Sequence, residues 1–291
     1  MSAEHELQRS APVAGLDHLQ YVEADGVGLL TINRPAVHNA IGLTTMPELV
    51  RVLDHLEASP TLAVLVLTGA GDKTFVSGGD LKELEQLTTH QAAASMSRQM
   101  QTLMARLSDL PMPVIGAING DSFGGGCEVA LACDIRVASS RARFAFKQVT
   151  IGITPAWGGR SRLVELVGRS VALRLMLIGE VIDAAEALRI GLVDRVVESA
   201  SVRDSAIEMA QQIAANPKEA VRAIKHQTSR PVGRETPCER RVRAALTIVI
   251  VAAPAPVGTP AIPIGRIAIP VVRVTAITAI AITAIIVSAR G

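Results

Sequence analysis

The sequence predicts an α/β chain built on a largely parallel sheet. Two short, continuous apolar runs, residues 62–68 (LAVLVLT) and 114–118 (VIGAI), have the length and composition of strands buried on both faces. Each runs into a Gly-rich loop and then into helical spacing, so strand and helix alternate along the chain. With 291 residues, 49% of them hydrophobic, the chain is long enough to bury a sizeable core.

In order, residues 1–15 are small and polar and read as disordered. Residues 19–23 and 27–32 read as strands joined at Asp25-Gly26, a strong hairpin signal, and Pro35 closes the second. Met46, Leu49, Val50, Leu53 and Leu56 fall at helical spacing over 44–57, with Thr44 in the capping position. After the 62–68 strand come a Gly-rich loop at 69–79, a short helix over 80–86 and a longer one around 91–107. The 114–118 strand leads into a second Gly-rich loop and a helix over 126–132, and 134–138 and 144–146 read as short strands. The remainder to Arg230 reads as mainly helical, punctuated by Gly158-Gly159, Gly168, Gly191 and Pro217, with no internal repeat.

The formal charge of +2 hides an uneven distribution. Residues 244–291 carry three Arg and no acid, which leaves 26 basic against 27 acidic residues in 1–243. A body so balanced excludes a nucleic-acid-gripping surface, which needs clustered Lys and Arg. Cys127, Cys133 and Cys238 form no disulfide framework, and the N-terminus lacks a charged segment followed by an apolar one, so a cytoplasmic location is expected. The tail is another material: 40 of its 48 residues are Ala, Ile, Val, Pro or Thr. Its last uncharged stretch, residues 274–289, is 16 residues, too short to span a bilayer, and no membrane span is expected. Acids stop at Glu239, and the tail reads as a shifted reading frame in a GC-rich gene, ahead of an unstructured extension.

Two segments carry candidate chemistry: residues 73–84 (KTFVSGGDLKEL) and 119–134 (NGDSFGGGCEVALACD). Each puts glycine at the end of a buried strand where a helix begins, the edge at which open α/β sheets bind ligands. Glycine there lets a substrate atom approach the peptide N–H, and the helix N-terminus favours a developing anion. No phosphate-binding Gly-Lys-Ser/Thr, no G-x-S-x-G elbow and no His-Glu-x-x-His pair is present, and the six His show no metal-ligand spacing. Glu128 stands out, because a carboxylate among Cys127, Val129, Ala130 and Leu131 is costly unless used or paired. Asp80 and Glu83 read as an N-cap and a solvated helix face.

Taken together, Thr31-Ile-Asn-Arg-Pro35 with Asn39-Ala40, the turn Leu67 to Asp72, Phe75-Val-Ser-Gly-Gly-Asp-Leu-Lys82, Gly124-Gly-Gly-Cys-Glu128 through Cys133-Asp134, and Gly152-Ile-Thr-Pro155 resemble the crotonase (enoyl-CoA hydratase/isomerase) family over roughly residues 18–230. The resemblance implies a crotonase-like ββα spiral core with a helical C-terminal region. It also implies trimers or paired trimers, acyl-CoA thioester substrates of fatty acid β-oxidation type, and no cofactor beyond the coenzyme A of the substrate. On it the domains fall at 1–15, 16–200 (acyl-CoA-binding core), 201–243 (C-terminal helices) and 244–291 (tail). Carried over by position, the oxyanion-hole N–H groups fall on Gly79 and Gly125, the first catalytic glutamate on Glu128, and the second on Gln148. Coenzyme A contacts fall on Ala36, Val37 and His38 and on Asp80, Leu81 and Lys82, with Lys82 suited to a phosphate. Gln148 is a departure, since an amide neither gains nor loses a proton near neutral pH. Hydratase or isomerase chemistry is the leading expectation. The alternatives are decarboxylation of a malonyl-type thioester, to which the Trp157-Gly-Gly run also bears a resemblance, and a CoA-binding protein without turnover. Trp157 itself reads as core filling.

Overall fold

A computed structural model describes residues 13–228. Most of the expected disordered N-terminus, the end of the 201–243 region and the whole 244–291 tail lie outside the described residues. The hairpin forms as the sequence predicts: β1 (Leu19–Ala24) pairs antiparallel with β2 (Val27–Ile32). Asp25 and Gly26 both take positive φ, 51° and 77°, the backbone that a tight hairpin turn requires.

From β2 the chain builds a six-stranded sheet in the order β1-β2-β3-β5-β7-β10, with every pairing after the hairpin parallel. β3 is Val64–Gly69, β5 Val114–Ile118, β7 Ile135–Ser139 and β10 Arg195–Val197. The apolar runs alternate between two cores. Leu65 and Leu67 face helices α1 (Thr45–Ala58) and α3 (His90–Ser108), while Val64 and Val66 join Ile115, Ala117, Val202, Ala206 and Ala210 against α8 (Val202–Ala214). Burying each Leu or Val contributes about 1.5–3 kcal/mol, which is why these runs carry no polar alternation. In α1 the buried face includes Val52 while Val50 is exposed, a one-position rotation from the expected stripe.

A second sheet, β4-β6-β8-β9, is made of strands of two or three residues, of which the sequence predicts only β8. β4 (Thr74–Val76) and β6 (Asp121–Phe123) lie inside the two Gly-rich loops, β8 is Arg143–Ala145 and β9 Ile182–Asp183. β9 and β10 interrupt a stretch expected to be mainly helical. The result is a structural repeat that the sequence hides: long strand, short strand, helix. It occurs as β3-β4-α2 (Leu81–Leu84), β5-β6-α4 (Gly125–Ala130) and β7-β8 followed by α5 (Gly159–Val167). The chain continues through α6 (Arg169–Ile178), α7 (Ala184–Arg189) and α8 to α9 (Lys218–Thr228). Two buried amides stitch the first repeat to its neighbours. Asn119 Nδ2 donates to Gly69 O at 3.0 Å and Gly71 O at 2.7 Å, and Asn39 Nδ2 to Ala70 O at 3.0 Å and Thr74 O at 2.7 Å. Among the described residues no helix is long and apolar enough to cross a membrane.

Candidate active site

The two Gly-rich loops meet because the repeats stack. A Cβ built on Gly126 would lie 1.7 Å from Val76 O, so α4 can start against the end of β4 only with glycine there. A Cβ on Gly78 would lie 3.1 Å from the Gly125 nitrogen, so the residues before α2 and α4 adjoin. Gly124, at φ 53° and ψ −116°, takes a conformation open only to glycine and frees the first turn of α4. The N–H of Gly79 is flanked by Ile41 N donating to Gly78 O and Asp80 N donating to Ile41 O, and it donates to neither. Among the described residues no carbonyl or side chain accepts from the N–H of Gly79 or of Gly125.

Glu128 sits one turn into α4 and is 1% exposed. Four donors converge on its carboxylate. Trp157 N and Gly159 N each donate to Oε2 at 2.8 Å, while Gln148 Nε2 at 3.1 Å and Ala156 N at 3.2 Å donate to Oε1. Burial pushes the carboxyl above the ordinary carboxylate range, and the N–H groups of Gly159, Trp157 and Ala156 and the Gln148 amide act in the opposite direction. Facing a carboxylate fixes the orientation of the Gln148 amide, with nitrogen toward Glu128. Its Oε1 is then left buried and without a hydrogen-bond partner in the structure. The structure therefore brings Glu128, Gln148, Gly79 and Gly125 into one neighbourhood. The chain sets them 20 residues apart in one case (Glu128 to Gln148).

The remaining predicted contacts lie on two neighbouring segments. Ala36 and Val37 lie in the 3-10 turn Pro35–Val37, which ends on His38 in the left-handed region at φ 55°. Ser77 N donates to His38 O, so this turn runs beside the 77–80 segment. Ala36, His38, Leu81 and Lys82 are exposed, and Asp80 caps α2 by accepting from Lys82 N at 3.2 Å. Glu83 is not on a solvated face. It accepts from Arg34 at 2.9 Å and from Thr44 N at 3.0 Å, and Arg34 also pairs with Asp80 at 2.9 Å. The reason is the parallel bridge of Ile41 to Gly79, which carries α2 over to Arg34. Thr44 accordingly makes no cap hydrogen bond and instead donates its hydroxyl to Glu83. A cleft of about 740 Å³ opens beside the turn, lined by His38, Lys73, Ser77, Phe123, Arg141 and Arg143, and Gly79 and Gly125 are not in its lining.

Trp157, which reads from the sequence as core filling, lies against the same glycines. It is 6% exposed, yet its ring packs on the glycines. A Cβ on Gly125 would lie 2.4–2.7 Å from Cζ3, Cε3 and Cη2, and one on Gly79 would lie 3.6 Å from Cζ2. Its placement beside Gly-Gly was the one available signal. Both free cysteines, Cys127 and Cys133, are buried with thiols pushed up to about 12 by desolvation, so neither is a nucleophile. Among the described residues no group of three His, Cys, Asp or Glu side chains could hold a metal ion.

Known proteins resemble the chain over most of its length. Residues 23–251 match the family model described as enoyl-CoA hydratase/isomerase. The chain is 41% identical over 210 residues to the short-chain-enoyl-CoA hydratase of Clostridium acetobutylicum, covering 72% of this chain and 80% of that protein. It is 37% identical over 199 residues to the crotonyl-CoA hydratase of Syntrophomonas wolfei, covering 68% and 76%. Its fold matches the crystal structure of an enoyl-CoA hydratase from Bacillus anthracis with a TM-score of 0.73 at 33% identity, over 79% of this chain and 89% of that one.

Proposed function

The chain belongs to the enoyl-CoA hydratase/isomerase family, the crotonase superfamily, and on that premise we propose an acyl-CoA enzyme that hydrates or shifts the double bond of an enoyl thioester. The observation that carries the reading is a buried carboxylate, Glu128, close to two glycine N–H groups that nothing among the described residues accepts from. In this reading the thioester oxygen accepts from Gly79 and Gly125 and gathers negative charge as the enolate forms. Each such donor lowers the barrier by about 3–4 kcal/mol.

Water addition follows from the way Gln148 is held. Its nitrogen is committed to Glu128, so the unpartnered Oε1 accepts one hydrogen of a water. Glu128 Oε1, whose donors are the longer pair, removes the other proton as the water oxygen bonds to the β-carbon. The double-bond electrons move onto the thioester oxygen, and Glu128 then returns the proton to the α-carbon. One carboxyl performs both transfers, because Gln148 can orient a water but cannot titrate. The 3,2-enoyl shift uses the same group, taking a proton at one carbon and restoring it at another.

Ala36, Val37, His38, Asp80, Leu81 and Lys82 form the coenzyme A contacts of this proposal, with Lys82 on a phosphate. No cofactor beyond the substrate's own coenzyme A is needed. A homotrimer or dimer of trimers working in the cytoplasm belongs to the same proposal. The hydratase relatives favour this reading over malonyl-type decarboxylation and over a protein that only binds. The test is turnover of crotonyl-CoA, a 3-enoyl-CoA and ethylmalonyl-CoA by the purified protein. Turnover of either enoyl thioester is expected. Loss of carbon dioxide from ethylmalonyl-CoA alone would favour the decarboxylase, and intact binding without any turnover the non-catalytic reading.

A further inference from the structure

We infer that Trp157 is a specificity-determining wall of the acyl site, a flat indole that admits planar enoyl and unbranched saturated chains and rejects saturated chains branched at the α-carbon. The inference deepens the acyl-CoA reading above and rests on it.

If a thioester binds at the two glycines, the indole stands beside its acyl group as well as filling the core. A side chain added at either Gly79 or Gly125 would meet this one ring, at the distances given above. An oxygen accepting from both N–H groups sits about 3 Å from each nitrogen. Its acyl α-carbon follows roughly 2.4 Å away, from standard bond lengths. An α-carbon so close to two glycines is within van der Waals reach of a ring that lies beside both. A planar, conjugated enoyl group lies flat against such a face, and the sp3 α-carbon of an unbranched saturated chain can turn a hydrogen toward it, where a branched one presents a methyl group.

The ring is also fixed in place. Trp157 N and Gly159 N are held by Glu128 Oε2, and Ala156 O accepts from Ser97 Oγ at 2.9 Å and Gln101 Nε2 at 2.8 Å. Its backbone is therefore anchored from α4 on one side and from α3 on the other. A wall held this way discriminates by shape, and one methyl group against a packed surface is worth roughly 10–200-fold.

The test uses equilibrium binding of two saturated thioesters, butyryl-CoA and isobutyryl-CoA, with coenzyme A alone as control. Calorimetry on the full chain should give butyryl-CoA at least a ten-fold advantage. Trp157→Ala should cut that ratio below about three, and Trp157→Phe, which keeps a smaller flat ring and serves if the alanine variant does not fold, should give an intermediate value. Trp157 is the only tryptophan in the chain, so its emission is a second readout. It should shift on binding butyryl-CoA and stay unchanged with coenzyme A. Binding of butyryl-CoA with no change in emission, or a ratio unaltered in both variants, would overturn the role of Trp157 and leave the acyl-CoA reading standing. Absence of binding by either thioester would remove both.

Discussion

Replacing Glu128 separates its structural work from its chemistry. In Glu128→Gln the amide oxygen takes the place of Oε2 and keeps the Trp157 and Gly159 donors, both at 2.8 Å. The new NH2 then faces Gln148, which can turn its unpartnered Oε1 inward to accept from it. Only the Ala156 N–H, already long at 3.2 Å, loses its acceptor, a cost of about 1–3 kcal/mol. Glu128→Ala strands the three N–H groups of Ala156, Trp157 and Gly159, about 3–9 kcal/mol at the same rate. Against a typical domain stability of about 5–15 kcal/mol, that approaches loss of the fold. Urea unfolding followed by circular dichroism should therefore give a folded glutamine variant and an alanine variant that is far weaker or unfolded. The glutamine variant should hydrate crotonyl-CoA about 10²–10⁴-fold more slowly, since its proton acceptor is gone. Equal stability of the two variants within 1 kcal/mol would refute the anchoring argument. Near-normal turnover by Glu128→Gln would refute the acid/base assignment.

Gln148→Glu sets a second carboxyl 3.1 Å from Glu128, where one of the two must hold a proton. Hydration of crotonyl-CoA should accelerate, and a wild type already as fast as the variant would remove the emphasis on position 148. That carboxyl's folded pKa is raised above its unfolded value near 4, so the variant should match wild type in stability at low pH and fall behind as pH rises above about 4. Cys127 and Cys133, pushed up to about 12, should resist iodoacetamide at pH 8, as read by peptide mass mapping. Because their folded pKa values exceed the unfolded ones, stability they contribute below about pH 9 is lost as pH climbs toward 12, on the order of 1 kcal/mol per thiol by about pH 10. Gly126→Ala, with its Cβ 1.7 Å from a backbone oxygen, should give insoluble or unfolded protein, and a soluble variant of wild-type melting temperature would contradict the close approach of α4 to β4. Deleting residues 244–291 should leave melting temperature and crotonyl-CoA turnover unchanged, and loss of solubility or of assembly in gel filtration would make the tail a structural part.

Elements with a local signal were already evident in the amino-acid order. The two apolar runs that became β3 and β5, the Asp25-Gly26 hairpin and the cap at Asp80 are each written in a few adjacent residues, because burial on both faces, positive φ and a capping oxygen restrict residue type at the position itself. Gly79, Gly125 and Glu128 stand out for the same reason, since glycine at a strand end and a carboxylate in an apolar turn are locally anomalous, whereas Gln148 came only from the family resemblance. Strands of two or three residues leave little periodicity to read, so β4, β6, β9 and β10 emerge only in the tertiary structure, which gives residue ranges to the ββα repeat that the resemblance implied. Tertiary structure alone decided the partners. It turned Glu83 from a solvated position into the acceptor that joins α2 to Arg34, and it carried Trp157 onto both glycines. It also aimed four donors at one carboxylate. A residue's own preferences fix whether it can be buried, but which group meets it there depends on stacking of repeats far apart in the chain, and that information is shared among all the residues that pack between them.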